Sequence, residues 1–598
     1  MSLAKPNRPM IETLDRLASR VASGSRLAVG GHHFARLPIA LLRAIAGNGT
    51  SDLNYFSWAG GLPLELLLEA DAVSSIDICF SSLDIFGLPP KFRSVAEAGT
   101  LPITDWPALA LIQGVRAAQQ NLPFLPMQLP EGSTMAERCP AMHRHRDERS
   151  GRDVALVEAQ AIDTLLLHAP RADEDGNVEI YGARALDLAL AGAARQVLVT
   201  VEEIVPRGHL QRHGRQTILT RNLVTAIAAV PGGAYPTSCL PFYATDYARI
   251  RQVLEGDHGS LMAGLARPGD APSELLRSAA ALTAAAVTPA MFRDDEPDDA
   301  RPASVDEIMA VWIANMLDNE SFASAGAVSP LGNVAYRLAK ATHAPDLMIA
   351  TFSCGHLDIA PGTMSLTLLE AMDADSAVAH CGGDDTYSTY YQAGLVTHEI
   401  IGAAQIDAKA HTNNIELTKP SGGKLRLPGQ GGMSDVANMH QNYVVYVPRH
   451  SPLSLVESVE AVSSARGLIG AEERAAAGYQ PGDIWLITNL CVFRYDAAAG
   501  QLVVVEIMPG VTREAIVEAT GFAVVFAADC RALELPTAAQ LQVLRRDIDP
   551  LGLRRLEFVE ARERGALLDE ILARDAAATA RLVAAAAGAR RHSENSRP

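Results

Sequence analysis

Paired cysteines are what this 598-residue sequence most plainly lacks. Its seven cysteines (Cys79, Cys139, Cys239, Cys354, Cys381, Cys491 and Cys530) are odd in number, scattered, and never spaced Cys-x-x-Cys. That excludes a zinc ribbon and a disulfide framework, and it points to a reduced, cytoplasmic protein. Positive charge is also in deficit: 51 Lys and Arg stand against 69 Asp and Glu, a formal net charge of −18. Such a surface repels phosphate, which excludes a general binder of nucleic acid or anionic membrane and leaves room only for a local basic pocket. Long apolar runs are missing too. The Ala/Thr-rich stretch from Ser278 to Phe292 contains Pro289 and falls short of the ~20 apolar residues a bilayer span requires. Met1 to Arg8 is polar and Pro-containing, without the apolar core of a signal peptide, so a soluble protein is expected. Neither Gly-x-Gly-x-x-Gly nor a Walker lysine motif occurs, and no His/Cys/Asp spacing suggests a metal, so none is expected.

What is present is an ordinary globular mixture, 48% hydrophobic and 20% charged, long enough for several units or two large ones. Apolar runs of strand length recur at 26–29, 75–80, 163–168, 196–201, 346–352, 443–447, 483–488 and 502–507. Most are uninterrupted rather than alternating, as in parallel strands buried on both faces, and Ala-rich helical stretches such as Ala183–Ala194 lie between them. Met10–Val21 carries apolar residues at helical spacing. It is followed by Arg26–Val29, Gly30-Gly31 and a helical pattern from Pro38, which opens an α/β layer. The segment Arg293–Glu307 (RDDEPDDARPASVDE) reads as an exposed linker, dividing the chain near its middle. From Ala576 the sequence turns Ala-rich and then polar, the pattern of a frayed helix and tail. The domains expected are therefore 1–290 and 309–575, with a linker at 291–308 and a tail at 576–598. The halves echo each other: Leu166 to Asp173 and then Asn177-Val178-Glu179-Ile180 in the first, Ile401 to Asp407 and then Asn414-Ile415-Glu416-Leu417 in the second. A strand, an Asp/Asn turn and a returning strand in each suit a duplicated domain.

Two glycine clusters carry chemical meaning. Gly30-Gly31, between a strand and a helix, offers backbone N–H groups to an anion. Arg426-Leu427-Pro428-Gly429-Gln430-Gly431-Gly432-Met433-Ser434-Asp435 permits a turn whose N–H groups converge as an oxyanion hole does; the alternative is a plain surface turn.

With these motifs the sequence resembles class I CoA-transferases of the glutaconate CoA-transferase type, with that family's two polypeptides, A and B, fused. The first half resembles the A polypeptide at Val29-Gly30-Gly31 with Arg36 and Pro38, at 87–93, at Asp175-Gly176-Asn177-Val178, at 199–204 and at 230–238. The second half resembles the B polypeptide at 426–435, at Pro509-Gly510-Val511-Thr512 and at Ala519-Thr520-Gly521-Phe522. The resemblance covers roughly residues 10–270 and 300–570. It implies two related, open, mainly parallel-sheet α/β domains with the active site at their interface. It also implies acyl-CoA and carboxylic acid as substrates, coenzyme A among them, no covalently bound cofactor, and a homodimer. Gly30, Gly31, Arg36, Glu202, Gly429 and Asp435 become candidates for binding the CoA ester, and Gly431 and Gly432 for catalysis.

The family's chemistry uses a carboxylate to split one exchange into two steps through an anhydride and a glutamyl thioester. Its nucleophile is a Glu of the B half, written Glu-x-Gly at the end of an early strand. Here the matching strand ends Thr351-Phe352-Ser353-Cys354-Gly355, and no glutamate occurs between His343 and Leu369. Ring-opening acyl-CoA hydrolases of the same fold use a Glu in the A half, where this sequence has Ala108 beside Asp105. Ser353 and Cys354, with His356 next to them, are the replacements the sequence offers, although a free cysteine is more often a small buried apolar residue. Glu202, at the carboxyl end of a strand, and Glu370 are the other acids considered, and Asp384-Asp385 either orients water or caps a helix. CoA transfer is the leading function, hydrolysis of acyl-CoA the second, and acyl-CoA binding without catalysis the third.

Overall fold

The structure is a computed structural model that describes residues 8–213, 217–255, 261–265, 270–282, 286–292, 301–325, 329–351, 354–419 and 421–595. In the first half, strands β1 (Met10–Ile11), β2 (Arg26–Val29), β3 (Leu53–Ala59), β4 (Val73–Phe80), β5 (Ile103–Asp105), β6 (Ile162–Asp173), β7 (Ala194–Val205) and β8 (Ala226–Ala229) form one sheet. Their order is β1-β8-β7-β6-β2-β3-β4-β5, and each neighbouring pair is parallel. Leu165, Leu166 and Leu167 follow one another along β6 and are all fully buried, the reason such strands read as unbroken apolar runs.

The second half repeats the plan. Its sheet holds β9 (Phe322–Ala325), β10 (Met348–Thr351), β11 (His356–Leu357), β12 (Ala379–His380), β13 (His398–Gly402), β14 (Asn442–Val447), β15 (Ile484–Thr488), β16 (Cys491–Asp496), β17 (Gln501–Ile507) and β18 (Val525–Ala532). The order is β12-β11-β10-β9-β13-β14-β15-β16-β17-β18, with the central strands β10 to β15 parallel. The echo in the sequence is a repeated turn. Asp173 Oδ1 accepts from the N–H groups of Asp175 and Asn177, and Asp407 Oδ1 accepts from those of Lys409 and His411. One carboxylate thus closes the same Asx turn in each half.

Three expectations change. Met10–Val21 is not one helix: Met10 and Ile11 pair with Ala226 and Ile227 at the sheet edge, and Thr13 caps a short helix, Leu14–Ala18. In the linker, residues 293–300 lie outside the described residues. Glu307, read as exposed, is completely buried, because it closes a capping box with Ser304 and pairs with Arg301, Arg545 and Arg554. The helix expected from Ala576 is present but begins earlier, as Ala561–Asn595, and is packed: Ala578 and Leu582 are buried and Arg581 Nε donates to Met291 O, while residues 596–598 lie outside the described residues. That helix also reaches the first half, where Arg564 donates to Ile85 O. The halves share a core as well: Trp58, Leu109 and Ala108 belong to one apolar cluster with Tyr387, Met433 and Val436. Among the described residues no helix is long and apolar enough to cross a membrane.

Candidate active site

The glycine loop is a latch between the halves before it is anything else. Ser81 N donates to Pro428 O (2.7 Å), Gly431 N to Cys79 O (3.0 Å), and Ala108 N to Gly431 O (3.2 Å). Arg426 grips Asp105 through two nitrogens, with Nη1 2.9 Å from Oδ2, and both side chains are buried. Gln430 Nε2 donates to Trp106 O. Gly429 is required here: its φ is +109°, and a Cβ would stand 2.8 Å from Cys79 O and 2.9 Å from Phe80 Cα.

These bonds sort the proposed oxyanion donors. The Gly431 N–H points into the first half and is already taken, so it is not free for a substrate. The Gly432 N–H carries no hydrogen bond among the described residues and lines a cavity of about 440 Å³ in the cleft between the halves. The first half contributes His32, Trp58 and Phe80 to this cavity; the second adds Tyr387, Tyr446 and the loop 428–433.

Three carboxylates line the same cavity, Asp84, Glu399 and Glu557, and Asp84 is already paired with His33 Nδ1. Both oxygens of Glu557 are occupied, Oε1 by the Tyr446 hydroxyl (2.6 Å) and Oε2 by Leu331 N (2.8 Å), and burial pushes its carboxyl up to about 7. Glu399, on β13, differs. Its Oε2 accepts from the Ser324 hydroxyl, which in turn accepts from Tyr391, and lies 3.2 Å from His440 Nδ1. Oε1 takes no hydrogen bond among the described residues. The result is a carboxylate fixed by one oxygen and open at the other.

The remaining sequence candidates are used inside the fold. Gly30 N donates to Leu166 O and Gly31 N to Asp187 Oδ1, so both amides are consumed and form no anion nest. Arg36 is wholly buried, paired with Asp187 Oδ2 at 2.8 Å and donating to the carbonyls of His168 and Ala183, and it faces neither cavity described here. Glu202 accepts from Tyr243 (2.7 Å) and from Gly232 N (2.8 Å), and contacts His168 Nε2 (2.9 Å), which together hold its carboxyl below the usual range despite burial. His168, Glu202 and Cys239 lie close enough to suggest a metal. Yet Thr200 and Glu202 engage both nitrogens of His168, and Glu202 has no spare oxygen. Asp435 is buried under the N-terminus of the helix Ala108–Gln119, accepting from Leu109 N (3.0 Å), and burial pushes its carboxyl up to about 7. It caps that helix rather than a substrate. Asp384 is buried beside Asp385, which together push its carboxyl up to about 6, and it lines neither cavity. Phe352 and Ser353 lie outside the described residues. Cys354 lines a second chamber that His356 also lines; His356 Nδ1 is 3.1 Å from His380 Nδ1, and burial pushes the imidazole down to about 3.

Glu399 and Tyr387 line this cavity without having been among the sequence candidates. Glu399 lies in the strand His398–Gly402, where it is 2% exposed, and a buried charge next to Ile400 and Ile401 is the signal that would have found it.

Comparison with known proteins agrees with this architecture. The Coenzyme A transferase family matches residues 11–217 and 307–519. The A polypeptide of glutaconate CoA-transferase from Acidaminococcus fermentans is 28% identical over 249 residues, 39% of this chain and 78% of its own length. The B polypeptide of 3-oxoadipate CoA-transferase from Pseudomonas knackmussii is 28% identical over 243 residues, 40% of this chain and 92% of its own length. An acyl-CoA transferase from Escherichia coli O157:H7, solved as a thioester complex with CoA, shares the fold across 90% of this chain and 98% of its own, with a TM-score of 0.66 at 15% identity. Two matched regions, an A-type and a B-type relative, and two sheets of one plan joined by the glycine-loop latch lead to one conclusion: the chain belongs to the Coenzyme A transferase family, with the A and B halves fused in a single polypeptide.

Proposed function

We propose that the cleft takes an acyl-CoA thioester and passes CoA to a carboxylic acid, with Glu399 as the attacking carboxylate and the Gly432 N–H as an oxyanion donor. The observation that carries this reading is the open Oε1 of Glu399 in the cavity that Gly432 also lines. Oε1 adds to the thioester carbonyl, the oxyanion meets the Gly432 N–H, and the C–S bond breaks to give an anhydride and CoA thiolate. The thiolate then adds to the glutamyl carbonyl, releasing the first carboxylate and leaving a glutamyl-CoA thioester, and the acceptor acid runs the same steps in reverse. Ser324, itself held by Tyr391, holds Oε2, with His440 Nδ1 3.2 Å away, which fixes the direction of attack. The chemistry needs CoA only as substrate.

Incubation with a panel of acyl-CoAs, borohydride reduction and peptide mapping test the proposal. A reduced glutamate is expected at 399 and none in 345–355, where the sequence has no glutamate to reduce. Glu399→Gln is expected to lower exchange by more than about 10³-fold. CoA released without dependence on an acceptor acid, with no reduced glutamate, would replace transfer by hydrolysis, water taking the acceptor's place.

A further inference from the structure

A second chamber, of about 210 Å³, shares His32, Asp84 and Ser329 with the main cleft, so an acyl chain has somewhere to go beyond the thioester. Its walls are largely apolar, with Phe34, Ile85, Met364, Leu366, Leu369 and Leu553 among them. The ionisable side chains there are distinctive. Asp84, Glu370 and Asp373 reach the chamber, and no lysine or arginine does among the described residues. Asp84 is held by His33, Oδ1 to Nδ1 2.5 Å. Asp373 accepts twice from Arg337, at 2.8 Å each, and Arg337 does not line the space. Glu370 has no cationic partner within salt-bridge distance: Oε2 accepts from the Ser238 hydroxyl (2.5 Å), and Oε1 is sealed from solvent against the backbone of Gly182 and Ala183. Burial pushes the Glu370 carboxyl up and drives the imidazoles of His32 and His356 down, and the third histidine of the lining, His33, is already committed to Asp84.

We infer that this chamber seats a short, uncharged acyl group and that it rejects acyl groups ending in a carboxylate. The inference rests on the cleft's reading as a thioester site and names its substrate class. A terminal carboxylate would leave water for a space that already holds three carboxyl groups and offers no cation without a partner, and an unpaired buried charge is the strongest form of rejection a pocket has. An uncharged chain meets no such penalty. This separates the chain from the glutaconate and 3-oxoadipate CoA-transferases it resembles, whose names carry dicarboxylic acids.

The test is steady-state kcat/KM of the full-length protein with butyryl-CoA, 3-hydroxybutyryl-CoA, succinyl-CoA and glutaryl-CoA, acetate being the acceptor in each. Butyryl-CoA and 3-hydroxybutyryl-CoA are expected to exceed succinyl-CoA and glutaryl-CoA by at least about 100-fold. Glu370→Gln, which keeps the shape and removes the ionisable group, is expected to narrow that ratio. Succinyl-CoA turned over as well as butyryl-CoA overturns this inference and leaves the thioester site standing. No turnover of any of the four overturns both.

Discussion

Alanine at Gly432 and alanine at Gly431 are expected to fail in different ways, although the two residues are adjacent. Gly432 has an ordinary φ of −101°, so its backbone accepts a side chain. The obstacle is space: a Cβ there would overlap the Tyr387 hydroxyl and stand 2.9 Å from its Cζ. Tyr387 cannot swing aside, being 1% exposed and packed against Trp58 and Tyr391 at ring-centroid distances of 5.5 and 4.7 Å. Overpacking of this kind costs about 1–3 kcal/mol and moves the backbone. Moving the Gly432 N–H forfeits an oxyanion donor, on the order of 10²–10³ in rate. Gly431 is the reverse: φ is +58°, but its Cβ would meet only Phe80 Cδ1 at 3.7 Å, and its N–H is already bonded to Cys79 O. Alanine there costs about 1–2 kcal/mol of backbone strain and leaves the rate within about tenfold. Initial rates of CoA exchange beside thermal unfolding measure both effects. Adding Tyr387→Phe to Gly432→Ala removes the first clash and is expected to restore part of the rate. Equal rates for the two single variants, or a dead Gly431→Ala beside an active Gly432→Ala, would refute the assignment of Gly432 as the donor.

Two further outcomes follow from the latch. Arg426→Leu strands the buried Asp105 carboxylate and is expected to lower stability by about 3–5 kcal/mol in guanidinium unfolding, whereas Arg426→Leu with Asp105→Leu recovers most of it; equal losses would show that the pair does not act as one unit. Asp435 has a folded-state value near 7 against an ordinary 3.8, so the folded protein holds its proton more tightly than the unfolded chain does. Stability from this group is complete below about pH 4, falls as pH rises toward 7, and is flat above. Asp435→Asn is expected to flatten that part of the profile, and an unchanged slope would remove Asp435 as its source.

The sheets were legible because parallel strands buried on both faces leave unbroken apolar runs. The structure has strands within or across each stretch the sequence marked, from Arg26–Val29 to Gln501–Ile507. Duplication was legible for a chemical reason: the Asp173 and Asp407 turns need the same carboxylate in the same place. The errors share a cause. Glu307 and the chain's last helix carry the charge and small residues of exposed segments, and only tertiary partners (three arginines for one, Met291 and the core for the other) make them part of the interior.

The candidate site divides along the same line. Sequence by itself determined that the 429–432 glycines form a special turn and that the strand ending at Thr351 is followed by no glutamate, because both are properties of consecutive residues. Sequence could not rank Gly431 against Gly432, since which amide is spent depends on where Cys79 O lies, some 350 residues earlier in the chain. Nor could it separate Arg36, Glu202 and Asp435, whose hydrogen bonds all end inside the protein, from Glu399, whose Oε1 remains open. A side chain's chemistry is written in its type, but whether that chemistry is available is decided by the partners that folding brings to it.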